Sequence, residues 1–260
     1  MLYYKIIVAY DGTDFHGWQQ QPKDLTVHTC MQKAFEKTFN KKAELLAVSR
    51  TDSGVHALGQ VVRLKAELEI NPQKLKTIWN RALPKSILIR DIRKIDSDFH
   101  PFFNVDYKIY HYNLFLKEPL PFVSRYGWHY KFMDQVDLDK FEKALQLYIG
   151  KHDFASFCKL EKDNKKTTIR TIDQITLKKI SKFNMLRIEI KGKSFLRFQI
   201  RRMIGYALDI SRRQDLSLEY LEKILKNPNP RQVLLKAAAC GLCLRKVVYK
   251  NGFNIKKREL

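Results

Sequence analysis

AELLAVSRTDSGVHALGQVVRLKAEL, residues 43–68, reads as two strands joined through a turn. AELLAVSR carries the short apolar run of a strand, and QVVRLKAEL alternates with the period of two that a pleated strand imposes. Between them Gly54 is free to take a positive φ and turn the chain. Working outward, YYKIIVAYD predicts a strand, and TVHTCMQKAFEKTF predicts a helix with Val27, Met31, Ala34, Phe35 and Phe39 on one side. Downstream, NPQKLKTIWNRAL predicts a helix opened by Asn71-Pro72, with Pro at the first helical position, and SILIRDIRKI predicts a strand. The order β-α-β-β-α-β is the ferredoxin-like, or split βαβ, pattern.

The second half repeats this outline without repeating its sequence. VDYKIYHYNLFL alternates as a strand, LDKFEKALQLYI predicts a helix, and TIDQITLKKI and MLRIEIKG predict paired strands. LRFQIRRMIGYALDI and SLEYLEKILKN follow as helices, and CGLCLRKVVY closes as a strand. FHPFFNVDY, with Pro101 inside it, is the expected junction. The expected architecture is therefore α+β, with two ferredoxin-like lobes whose mainly antiparallel sheets flank a basic cleft. Residues 1–103 form the N-terminal lobe and residues 104–260 the C-terminal one.

Charge limits the function classes. The 260 residues hold 49 Lys and Arg against 27 Asp and Glu, a net charge of +22. Residues 1–100 contribute +5 and the remaining 160 contribute +17, an excess suited to a polyanionic partner. A solvated lysine-rich surface is the plainer alternative. No stretch approaches the ~20 apolar residues of a membrane span, and the N-terminus lacks the pattern of a signal peptide. Cys30, Cys158, Cys240 and Cys243 are too few and too irregular for a secreted disulfide framework, so a cytoplasmic location is expected.

Asp52, in SRTDSGVHALGQ, is the one carboxylate of its segment. Local physics admits two roles for it. It caps the turn through its own backbone, as Asx residues often do, or it stands as an ionised nucleophile, base or electrostatic stabiliser at a strand end. If the strand continues through it, Arg50 shares a face with Asp52 and favours the ionised form.

The segment resembles the catalytic motif of the TruA family of tRNA pseudouridine synthases, R-T-D-x-G-V-H-A followed by Q. Arg50, Thr51, Asp52, Gly54, Val55, His56, Ala57 and Gln60 carry the match. YDGTDFHGWQQQP, SDFHPFF, YKIYHYNLF, HDFASF, FLRFQIRRMIG and GLCLRKVVY resemble further family segments in the family's order. The resemblance implies that Asp52 is the nucleophile and that Tyr110 lies against the target base. It also implies that Arg201 sits beside the aspartate. Arg197, four residues earlier and expected on the same helical face, would reach RNA phosphate, and Arg50 would contact RNA. The implied reaction isomerises uridine to pseudouridine in the anticodon stem-loop of tRNA, with no cofactor and no metal. The implied partners are tRNA and, in a homodimer, a second copy of the chain. Attack of Asp52 on C1′, attack on C6, and help in removing the C2′ proton all remain open.

Phe102 stands where the family has Arg, Lys108 replaces the Arg of the strand motif, Ala237–Ala239 lack a proline, and Cys243 replaces a Tyr. Phe102 and Lys108 keep a second reading alive, a non-catalytic tRNA-binding protein on the same scaffold. A metal-dependent nuclease would want several clustered carboxylates, and this motif offers one. Cys240-x-x-Cys243 lacks the two further ligands of a zinc site and is expected to be structural. His16 and His56 are assigned no chemistry, Trp18 is expected to be structural, and one of Tyr110 and Tyr112 is expected to be packing.

Overall fold

The computed structural model describes residues 1–160 and 167–250. The described chain packs as two units, Met1–Lys108 together with residues 243–250, and Ile109–Leu242.

In the first unit, β1 (Leu2–Tyr10) buries Tyr4, Ile6, Val8 and Tyr10 by simple alternation. Helix α1 (Val27–Phe39) starts at Thr26, whose hydroxyl accepts from the Thr29 N–H, and stops at Asn40 in the left-handed conformation. Strands β2 (Ala43–Ala47) and β3 (His56–Ala66) follow, then α2 (Pro72–Ala82), capped by Asn71, and β4 (Ile87–Ile95). The expected β-α-β-β-α-β order is thus observed. β1 pairs antiparallel with both β3 and β4, and β2 pairs antiparallel with β3, so the four strands run β4-β1-β3-β2. The final strand, β10 (Leu242–Tyr249), joins parallel to the start of β3, through Cys243 opposite His56 and Leu244 opposite Ala57.

Helix α1 buries Val27, Met31 and Phe35, one residue per turn, towards α2. Phe35 meets the edge of Trp79 with ring centroids 4.9 Å apart, and the Trp79 indole N–H donates to the Met31 carbonyl at 3.2 Å. Both rings are fully buried, and the indole hydrogen bond removes the penalty of burying that donor.

Strand β5 (Val105–Phe115) begins in the first unit and continues into the second. There the order is β5-β9-β8-β7, with β7 (Gly150–Asp153), β8 (Ile169–Ile180) and β9 (Met185–Gly192), while the two-residue β6 (Trp128–His129) runs parallel to β5. Helix α3 (Leu138–Gln146) is capped by Asp137 and α5 (Leu218–Lys226) by Ser217. Helix α4 (Gln199–Arg212) packs on α3 and is buried on almost every side. Strands β6 and β7 were not expected. Two and four residues are too short to show a period, and only pairing defines them.

Phe35→Ala empties the space between α1 and α2. It is expected to cost about 3–5 kcal/mol of unfolding free energy, measured by urea denaturation.

Candidate active site

The Asp52 segment is a loop. β2 ends at Ala47 and β3 begins at His56, so residues 48–55 lie outside the ladder. The strand was expected to run on to Arg50; its early end removes the basis for placing Arg50 and Asp52 on one strand face. Arg50 is exposed, whereas Asp52 is partly buried. The Val55 N–H donates to the Asp52 carbonyl at 3.1 Å, closing a turn whose third residue, Gly54, has φ 76°. A turn of this kind demands a positive φ there, which glycine takes at no steric cost.

A second loop, residues 11–18, lies against the first. The Gly54 N–H donates to the Phe15 carbonyl at 3.2 Å, and the Trp18 N–H donates to the Thr51 carbonyl at 3.1 Å. Gly17 has φ 85°, and a Cβ built on it would stand 2.6 Å from the Thr51 carbonyl oxygen, so no side chain fits at that crossing. The Gly12 N–H donates to Nδ1 of buried His56 at 3.0 Å, and the same nitrogen lies 3.2 Å from the Asp11 carboxylate. His56 ties the two loops together. Trp18 is core, packed on Tyr10 and against the edge of His28.

Beneath the loop lies a set of polar side chains. Tyr10 and Thr51 share a hydroxyl–hydroxyl bond of 2.7 Å, and Gln60 donates its amide to the Ser49 carbonyl at 2.7 Å. The Lys108 ammonium donates to the Val48 carbonyl and to Ser49 Oγ, both at 2.9 Å. Loss of water around that ammonium pushes its pKa down to about 8 from the usual 10.5. Tyr10 and Gln60 matched the family motif without a role attached to them. The available signal was a glutamine at an inward position of an otherwise apolar strand pattern.

The other expected residues belong to the second unit. Tyr110 is buried, with its ring edge-on to Phe195 at 5.1 Å. Tyr112 is wholly buried and its hydroxyl donates to the Ala238 carbonyl at 2.9 Å. Arg201 lies in the first turn of α4, and its Nε donates to the Ala237 carbonyl at 2.8 Å, while the Ala237 N–H donates to the Arg201 carbonyl at 2.9 Å. Arg197 corrects an expectation. The helix starts at Gln199, and Phe198 before it is left-handed with φ 66°. Arg197 therefore precedes the helix and shares no helical face with Arg201. What joins them is the Phe198 ring: Arg197, Arg201 and Lys236 place their cationic groups 5.1, 5.5 and 4.4 Å from its centroid. Lys236 could not be read from sequence, because a long segment separates it from α4.

Phe102 is exposed on a turn, beside a stacked pair of His100 and Phe103. Neither Cys240 nor Cys243 forms a disulfide, and Cys240 Sγ donates to the Gly127 carbonyl at 3.3 Å. Among the described residues no three His, Cys, Asp or Glu side chains gather as a metal site, and no helix is long and apolar enough to cross a membrane.

A family model described as tRNA pseudouridine synthase matches residues 6–104 and 144–250, a span that includes the Asp52 loop, α4 and β10. Three proteins named tRNA pseudouridine synthase A are similar over nearly their whole lengths. The one from Thermodesulfovibrio yellowstonii is 33% identical, with 96% of this chain and 100% of that protein covered. Those from Clostridium kluyveri and Chlamydia pneumoniae are 32% and 35% identical, covering 94% and 96% of this chain and 98% and 92% of theirs. The chain belongs to the tRNA pseudouridine synthases, a family of isomerases.

Two expectations follow. Gln60→Leu strands the Ser49 carbonyl inside the protein and should lower stability by about 1–3 kcal/mol, read from the shift in denaturant midpoint. The second concerns pH. The folded pKa of Lys108 lies below its unfolded value, so between about 8 and 10.5 the unfolded chain binds more protons and stability from this group rises with pH. Across that window wild type should gain stability relative to Lys108→Met, in parallel denaturation series.

Proposed function

We propose that this chain isomerises uridine to pseudouridine in the anticodon stem-loop of tRNA, with Asp52 as the nucleophile. The observation that carries the proposal is the R-T-D segment itself. A single carboxylate stands in a loop whose backbone is bonded on both flanks, within a chain that belongs to the synthase family. In this reaction the N1–C1′ bond breaks, the base turns, C5 bonds to C1′, C5 gives up its proton and N1 takes one up. No donor group or oxidant enters, so one placed carboxylate is enough for the covalent work.

The remaining roles rest on the resemblance. Tyr110 offers its ring to the target base, a stacking contact worth about 1–3 kcal/mol. Arg201, Arg197 and Arg50 bind the substrate. Extruding the uridine costs a few kcal/mol, which contacts to the phosphate backbone offset. The +17 charge of residues 101–260 supports that role. The order β4-β1-β3-β2 with two helices supports the ferredoxin-like reading of the first lobe. We propose a cytoplasmic homodimer as the working form.

The test uses unmodified tRNA transcripts carrying tritium at C5 of uridine. Wild type should release tritium and place pseudouridine in the anticodon arm, and Asp52→Asn should fall below about 10⁻³ of that rate. Tight, salt-sensitive tRNA binding with no release from wild type would instead establish the non-catalytic binder that the Arg-to-Phe change at 102 favours.

A further inference from the structure

We infer that Lys108 is a positioning residue for Asp52, holding the entry to the 48–55 loop so that turnover depends on it while tRNA affinity does not. The inference rests on Asp52 being the nucleophile.

A lysine ordinarily keeps its ammonium in water. Lys108 instead directs it inward, to two acceptors on consecutive residues, Val48 and Ser49. Those residues follow directly on the last residue of β2. The Val48 N–H already donates to the Val61 carbonyl at 2.9 Å, and the Ser49 carbonyl already accepts from Gln60 at 2.7 Å. With Lys108 in place, the Val48 carbonyl and the Ser49 hydroxyl are also engaged. The chain leaving β2 is therefore held from β3 on one side and from β5 on the other. Two residues further on, Thr51 is held by Tyr10, and the turn that follows closes on the Asp52 carbonyl. Asp52 is separated from the Lys108 anchor by only Arg50 and Thr51.

An apolar side chain at 108 would leave the Val48 carbonyl without its donor. The loop entry would then shift to find another one. A displacement of about 1 Å in a reacting group is enough to cost as much as a hundredfold in rate. Because the ammonium points into the loop's support, its loss should spare the surface that grips RNA.

The experiment is steady-state tritium release by wild type, Lys108→Met, Lys108→Arg and Ser49→Ala, with thermal melting of each. Lys108→Met is expected to lower kcat by about tenfold or more and to leave KM for tRNA within about threefold. Lys108→Arg, which can still donate to both acceptors, should recover most of kcat. Ser49→Ala should lower kcat by a smaller factor without shifting the melting temperature. Added to Lys108→Met, it should cause little further loss, as expected of two groups in one contact. A kcat within twofold of wild type for Lys108→Met, or a rise in KM with kcat unchanged, would overturn the inference. If Lys108→Met fails to fold, an unchanged kcat for Ser49→Ala would overturn it. Failure of the functional reading is distinct: wild type itself would then release no tritium.

Discussion

The loop at 48–55 is polar backbone pressed against the body of the first unit, and backbone taken out of water must find partners. An unpaired carbonyl or N–H there costs about 1–3 kcal/mol, so each one constrains what stands beneath it. Gln60 on β3 and Lys108 on β5 supply such partners, and Tyr10 on β1 adds a hydroxyl bond to the Thr51 side chain. The neighbouring loop at 11–18 bonds to it through its own backbone, at Thr51 and Gly54, which is why it needs Gly17 at the crossing. The sheet thus does more than bury apolar side chains. Its strand order brings three polar side chains under one short segment, and that segment carries the motif's carboxylate.

A comparable economy operates at the start of α4. Phe198 adopts a left-handed conformation, unusual for an aromatic residue, and Arg197, Arg201 and Lys236 gather on its ring. Arg201 is fixed further by its exchange of hydrogen bonds with Ala237. A buried guanidinium held through its backbone and through Nε keeps few rotamers. Its direction is then set by the protein's own contacts.

The elements most legible in the sequence were those with a clear period and a cap. β1 alternates over nine residues, and α1 and α2 begin at Thr26 and Asn71, where capping residues precede apolar spacing. The motif around Asp52 was legible because its residue types are specific in combination. Its conformation was not. AELLAVSR carries strand-like composition up to Arg50, yet the ladder stops at Ala47, because the polar groups of the next residues are taken by side chains and by a neighbouring loop. Arg197 was misplaced for a related reason. LRFQIRR has helical spacing, but the Leu196 carbonyl and the Gln199 side chain close a local turn ahead of the helix.

By itself the sequence determined the family, the order of the longer strands and helices, and the carboxylate on which the chemistry is proposed to turn. Each of these rests on residues near one another in the chain, where period, capping and motif spacing act. Only the tertiary structure decided that Lys108 and Gln60 support the loop, that Lys236 joins Arg197 and Arg201 on Phe198, and that β10 returns to lie beside β3. Those contacts join residues distant in sequence. Their partners are chosen by which buried polar groups and ring faces the packed chain leaves to be satisfied, and no local pattern encodes that choice.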